Sequence, residues 1–349
     1  MKKLISLLLV FVMVFALAAC GAKQETAAPA VEAEAPAEEA VDDTVYTLKF
    51  GHDANEDSSY HAGAMALARL AEERSNGRLK IEVFPSGSLG SETELLESAR
   101  MGVTDIVCCS AANSSATFPE MGIFSVSFLF EDQEHFDACM TPGSDMTNEL
   151  KRIVADANQG VILGAPISQG LRSVEATVPV RTPADLAGLT MRVMSSETEI
   201  LVWSTIGALP STIPTGECYG ALQTGVIDAL ENSPAILYSW KFYEVAPYIS
   251  LTEHEYLISG IWVSDKVQDK LPADLYEILM DCMDDAAAEE LEFDKANDQR
   301  ALEDLRAAGA NLIEDVDKQA FMDVVTPLRD QVAADLGVEA LIEMIDAAK

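Results

Sequence analysis

The residues best placed to do chemistry in this chain lie between Thr182 and Tyr248. Arg192 closes a short strand signal, L-T-M-R-V (189–193), and Asn232 stands just after a second, V-I-D-A-L (226–230), with a helix signal over 217–224 between them. A guanidinium is planar and permanently charged, and it matches a carboxylate with two parallel hydrogen bonds; lysine would give charge without direction. A cationic fork and a neutral amide delivered to strand ends suit the capture of a small carboxylate. They do not suit acid–base or nucleophilic catalysis, because no nucleophile, base or metal cluster accompanies them. There is no G-x-S-x-G elbow and no G-x-x-x-x-G-K phosphate cradle. The four histidines lack zinc-site spacing, and no cofactor is implied. The plainer roles are a surface ion pair for Arg192 and, for Asn232, a turn residue capping the segment before Pro234.

The elements that must carry these side chains follow a repeating pattern. Y-T-L-K-F-G (46–51) alternates as a strand, 62–75 reads as a helix stopped by Asn76-Gly77, and L-K-I-E-V-F (79–84) is a second strand. A helix over 92–101 and a buried strand, D-I-V-C-C-S (105–110), complete a β-α-β-α-β run, the pattern of a parallel sheet with helices on its faces. The alternation restarts after a helical stretch ending near Asn158. Strands are expected at 160–167, 189–193 and 226–230, and helices at 197–206 and 217–224, the latter stopped by Gly225. Two α/β units suggest two lobes facing a cleft, with ligand at strand carboxyl ends. Residues 272–308 keep helical period for over thirty positions, long enough for a helix to brace both lobes.

The composition narrows the partners. With 349 residues, 49% of them hydrophobic, the chain can bury two domains' worth of core. A net charge of -35 excludes nucleic acid, which needs a basic face, and adsorption on anionic lipid. An anionic ligand must then be held by local positive charge, which is feasible because distant carboxylates are screened beyond about 8 Å at physiological salt. Five cysteines besides Cys20 form no disulfide framework and read as small buried hydrophobes.

The first residues read as a secretory leader: Lys2 and Lys3, an apolar run from Leu4 to Leu17, then L-A-A-C. The apolar run is short for a membrane span. L-A-A-C resembles a bacterial lipobox, which implies a signal peptide over 1–19 and lipidation of Cys20. Residues 20–43, rich in Ala, Glu and Pro and without aromatics, form a solvated tether.

Four segments in order resemble the motifs of the substrate-binding subunits of tripartite ATP-independent periplasmic (TRAP) transporters: F-P-S-G-S-L-G (84–90), R-T-P-A-D-L-A-G-L-T-M-R-V (181–193), E-C-Y-G-A-L-Q-T-G-V-I-D-A-L-E-N (217–232) and K-F-Y-E-V-A (241–246). The likeness covers about 45–349. It implies a two-lobed, periplasmic-binding-protein-like α/β fold with the ligand cleft between the lobes and a long C-terminal helix spanning both. Lobe I is expected over 45–169 plus 258–297, and lobe II over 170–257 plus 298–349. It implies a carboxylate held by Arg192, a second arginine in the Gly-x-Arg pattern, Arg172, and the asparagine of the E-N pair, Asn232. Asp53 and Ser110 are implied pocket groups, and His52 can reach the cleft beside Asp53. The chain departs from the family at Met194-Ser195, where Pro-Asn often follows M-R-V, and at Thr215-Gly216, where an aromatic often stands; Ser195 and Thr215 are expected to form a changed pocket wall. The resemblance implies an extracytoplasmic, lipid-anchored protein that captures a small organic acid and delivers it to integral-membrane transporter subunits. A ligand-presenting sensor module and an ABC-type binding lipoprotein share the architecture. A secreted hydrolase would need a nucleophile–base pair that the sequence does not show.

Overall fold

The computed structural model describes residues 43–349. The expected signal peptide, Cys20 and all of the tether except Asp43 lie outside the described residues. The strands are β1 (Tyr46–Gly51), β2 (Leu79–Phe84), β3 (Ile106–Ser110), β4 (Val161–Ala176), β5 (Thr190–Val193), β6 (Leu209–Thr212), β7 (Ala229–Asn232), β8 (Tyr248–Ser264) and β9 (Asn311–Ile313). They form one sheet in the order β2-β1-β3-β8-β4-β7-β5-β6, with β9 against β8.

The first α/β unit forms as expected. Ser58 starts helix Ser59–Arg74 by accepting the His61 amide, and Ser91 with Glu94 makes a capping box on helix Glu92–Arg100. The sheet, however, is mixed rather than parallel. β8 runs antiparallel to β3 and β4, and β7 runs antiparallel to β4. The cause is a pair of long crossing strands: β4 has 16 residues and β8 has 17, and each passes through both halves of the sheet. The strand expected over 160–167 is only the first part of β4. The chain continues past Gly170 because register shifts between Ser168 and Leu171, and again between Arg172 and Val174, absorb the break. The strand expected over 226–230 moves to Ala229–Asn232, since Val226 still closes the preceding helix by bonding Ala221 O. Asn232 therefore ends β7 instead of following it.

The helical stretch 272–308 divides at Cys282 into helices Ala273–Asp281 and Met283–Ala308. The second one does brace the molecule. Its start (Met283, Ala286, Ala287) packs with Phe50, Tyr60 and Ile261, and its end (Leu305) packs with Leu222, Phe242 and Ile249. The chain after 298 contributes to two cores. Phe321 and Val325 join Val193 and Trp203, but Val332, Leu341 and Ile345 turn back to pack with Leu95, Phe118 and Trp262 of the first half. The apolar face of the last two helices is thus shared between the halves, and His135 Nε2 lies 2.7 Å from Ile345 O. The five described cysteines are free and buried.

Candidate ligand site

The site lies where β4 crosses from one half of the sheet to the other. β7 pairs antiparallel to β4 with Ser173 opposite Asn232 and Val174 opposite Glu231, so Arg172 stands next to the E-N pair. Arg172 is fully buried. Its Nε and Nη2 bond the Glu231 carboxylate, Nη2 also donates to Glu231 O at 2.8 Å, and Nη1 donates to Asn232 Oδ1 at 3.2 Å. Burial alone would raise the Glu231 carboxyl, but the charge of Arg172 holds it down at about 2. His254 itself is pushed down by burial, so it sits neutral with Nε2 3.5 Å from Glu231, too long for a hydrogen bond. Asn232 Oδ1 also accepts the Ser233 amide at 2.9 Å.

Arg192 is positioned differently. It is 3% exposed, at the penultimate position of β5, and lines the same cavity as Arg172 and Asn232. Its Nε donates to Ile213 O at 2.7 Å and Nη2 reaches Thr215 Oγ1 at 3.4 Å. Among the described residues no carboxylate pairs with it. Arg181, by contrast, is exposed and bonds both oxygens of Asp315 at 3.0 Å.

The first half of the sheet supplies an acidic wall. Asp53, in the loop after β1, and Glu92, at the start of its helix, line the cavity with Arg192. Glu92 is fixed by four donated bonds: Tyr60 Oη at 2.9 Å, Ser110 N at 2.9 Å, Ser110 Oγ at 2.6 Å and Asn113 Nδ2 at 2.7 Å. Asp53 is raised to about 8 by burial and then by the Glu92 charge, against the pull of Arg192, so it carries a proton at neutral pH. Ser195 and Asn113 join the halves, Ser195 N donating to Asn113 Oδ1 at 2.8 Å.

The structure thus brings Arg192, Arg172, Asn232, Asp53 and Thr215 to one cavity, with Ser195 on its rim. It does not bring Ser110 or His52 there. Ser110 is fully buried behind Glu92 and caps the turn through Asn113 N. His52 is fully buried beside His61 (Nε2 to Nδ1 3.2 Å) and is lowered to about 4 by burial and the His61 ring. Polar and aromatic lining residues that no motif marks include Glu92, Asn113, Gln169 and Trp240. Trp240 supplies the aromatic wall missing at Thr215-Gly216; a side chain added at Gly216 would lie 3.9 Å from its ring.

Two strand sets bridged by two long strands and a brace helix, with a charged cavity at the crossing, define a two-lobed binding protein. A model of the bacterial extracellular solute-binding protein family 7 (DctP) matches residues 50–335. The 2,3-diketo-L-gulonate-binding periplasmic protein YiaO of Escherichia coli (strain K12) is 30% identical over 303 residues, 86% of this chain and 91% of that protein. The C4-dicarboxylate-binding periplasmic protein DctP of Rhodobacter capsulatus is 28% identical over 302 residues, 84% of this chain and 88% of that protein. A TRAP periplasmic solute-binding protein from Polaromonas sp. JS666, solved with bound D-erythronate, aligns with TM-score 0.82 at 29% identity, covering 87% of this chain and 99% of that one. The chain belongs to this family: it is an extracytoplasmic, substrate-binding subunit of a TRAP transporter and not an enzyme. Among the described residues no helix is long and apolar enough to cross a membrane.

Proposed function

We propose that this protein captures a small organic acid in the cavity between its two lobes, holding the ligand carboxylate on Arg192, and hands it to the integral-membrane subunits. The observation that carries this is a buried guanidinium with which, among the described residues, no carboxylate forms an ion pair. An isolated buried charge is costly unless it is paired, so the cavity is built for an anion to complete it. Arg172 is a poor primary clamp because Glu231 already neutralises it; it orients Asn232 toward the same cavity. Relatives named for diketogulonate or C4-dicarboxylate binding, and a neighbour holding D-erythronate, are all consistent with a carboxylate ligand. Thr215 and Ser195 complete the polar wall.

Release requires reopening. The lobes divide at the β4 register shift, with 45–169 and 258–297 on one side and 170–257 with the chain from 298 on the other, the last two helices returning to the first lobe after Leu328. Neighbouring contacts on the brace helix support the division. Asn297 Nδ2 donates to Asp57 O at 3.0 Å in the first lobe, whereas Asp298 accepts the Leu171 and Ala235 amides at 3.1 Å in the second. Lipid anchoring through Cys20 completes the reading and rests on the L-A-A-C run and the Ala/Glu/Pro tether. A thermal-shift screen of organic acids against their uncharged amides tests the capture. A ligand at a hundredfold excess over Kd adds about 2.7 kcal/mol. Stabilisation by acids and not by amides is expected; equal shifts from both would contradict a carboxylate clamp.

A further inference from the structure

We infer that the acid is captured together with a proton, which Asp53 takes from solvent, so that the cavity binds a carboxylate and one hydrogen ion as a set. The inference rests on the carboxylate reading of Arg192 and deepens it. It follows first from a charge count. Arg172 and Glu231 cancel each other, and among the described residues Arg192 is the one further cation lining the cavity. Asp53 and Glu92 line it too, so a ligand carboxylate on Arg192 would be the third around one guanidinium. Two of the three negative charges would then stand unbalanced beside buried groups, and a carboxyl in that position takes a proton instead. Hydrogen bonding selects which one. Glu92 accepts four donated bonds, which fill its acceptor sites and suit the ionised form. Among the described residues only its own backbone amide is directed at Asp53. Burial and then the Glu92 charge already push Asp53 up to about 8, with Arg192 opposing. A bound carboxylate offsets that opposing charge and adds a like one, so Asp53 holds its proton more tightly in the loaded cavity. Protonated, it is also a hydrogen-bond donor to the acid. The other groups that face it stay uncharged. Burial raises Tyr60, Cys108, Cys109 and Cys218 and lowers His52 to about 4, with His61 behind it. Glu199, raised to about 7 by burial, accepts the Met194 amide behind the cavity wall and is the competing proton site.

The test is calorimetry on the full-length protein with a panel of D-erythronate, D-glucuronate and succinate, run from pH 6.5 to pH 9.5 in paired buffers of different ionisation enthalpy. The dependence of the heat on the buffer counts the protons taken up. With Asp53 near 8, uptake should rise from roughly none at pH 6.5 to roughly one per acid at pH 9.5, and affinity should weaken at least about tenfold over that span. Asp53→Asn keeps the shape and cannot ionise. It should abolish the uptake and flatten the affinity, with melting curves to show that it folds. Absence of uptake in the parent, or undiminished uptake in the folded variant, would overturn the inference and leave carboxylate capture standing. If the variant does not fold, the midpoint of the parent's uptake gives the answer: near pH 8 supports Asp53, and near pH 7 points to Glu199 and overturns it. If none of the three acids binds, carboxylate capture by Arg192 fails together with the inference.

Discussion

Glu231 pairs with Arg172 inside the protein, whereas among the described residues no carboxylate pairs with Arg192. The two guanidiniums share a cavity but have opposite tasks. One is part of the scaffold that fixes Asn232, and the other is the arginine to which the proposed function assigns the ligand carboxylate.

Breaking the internal pair should be costly. Arg172 and Glu231 both have side chains 1% exposed, so neither is screened by water. Glu231→Gln leaves a buried guanidinium without its counter-charge and should destabilise the protein by about 3–5 kcal/mol. Urea unfolding measures this, and a loss below about 1 kcal/mol would show that the pair is not structural.

Gly170 marks the crossing of β4 between lobes. Its φ is +86°, and a Cβ there would sit 2.2 Å from Asp298 Oδ2 and 2.6 Å from Ser233 Cβ. Gly170→Ala must strain the backbone and dislodge the carboxylate that accepts the Leu171 and Ala235 amides. A loss of at least about 1–3 kcal/mol is expected in the same unfolding assay. A variant as stable as the parent would mean that the crossing is loosely held.

Asp53 ties stability to pH. Its folded carboxyl titrates near 8 against 3.8 when unfolded, raised by burial and by Glu92, with Arg192 opposing; Arg172 shares the cavity, and His52 and His61 lie behind it. Below 3.8 both states hold the proton, and nothing is lost. Between 3.8 and 8 the unfolded chain ionises while the folded one does not, so stability falls as pH rises through this window. Asp53→Asn removes that slope. Its stability relative to the parent should climb from pH 4.5 to pH 8 in parallel urea titrations, and a flat or falling difference would refute the assignment.

Much of this was legible in the sequence. The first β-α-β-α-β run and helix Glu197–Ile206 follow from period and punctuation within short windows, and Arg192 and Asn232 are singled out chiefly by the resemblance of their motifs to the family. What escaped is non-local. β8 and the second half of β4 lie across a register shift that periodicity reads as an end. The return of Leu341 and Ile345 to the first half depends on which core has room for them. Ser110 and Glu92 show the same limit at the site: a strand-end serine looks like a pocket group, and only the fold reveals that it spends its hydroxyl on a glutamate eighteen residues earlier.

The proposed lipid anchor is tested apart from binding. Cys20→Ala should move the protein from the membrane fraction to the soluble fraction without altering acid affinity. A variant that remains membrane-bound and detergent-extractable would contradict lipidation at that cysteine.

Arg192 is the most direct test of the account. Using the tightest acid from the panel, calorimetry should show Arg192→Ala weakened by about two to three orders of magnitude, the loss of a charge-assisted pair worth about 2–5 kcal/mol in a desolvated cleft. Arg192→Lys should recover only part of that, keeping the charge and losing the fork. Arg181→Ala, on the exposed face with Asp315, should bind like the parent. Parental affinity in a folded Arg192→Ala would contradict the carboxylate clamp outright.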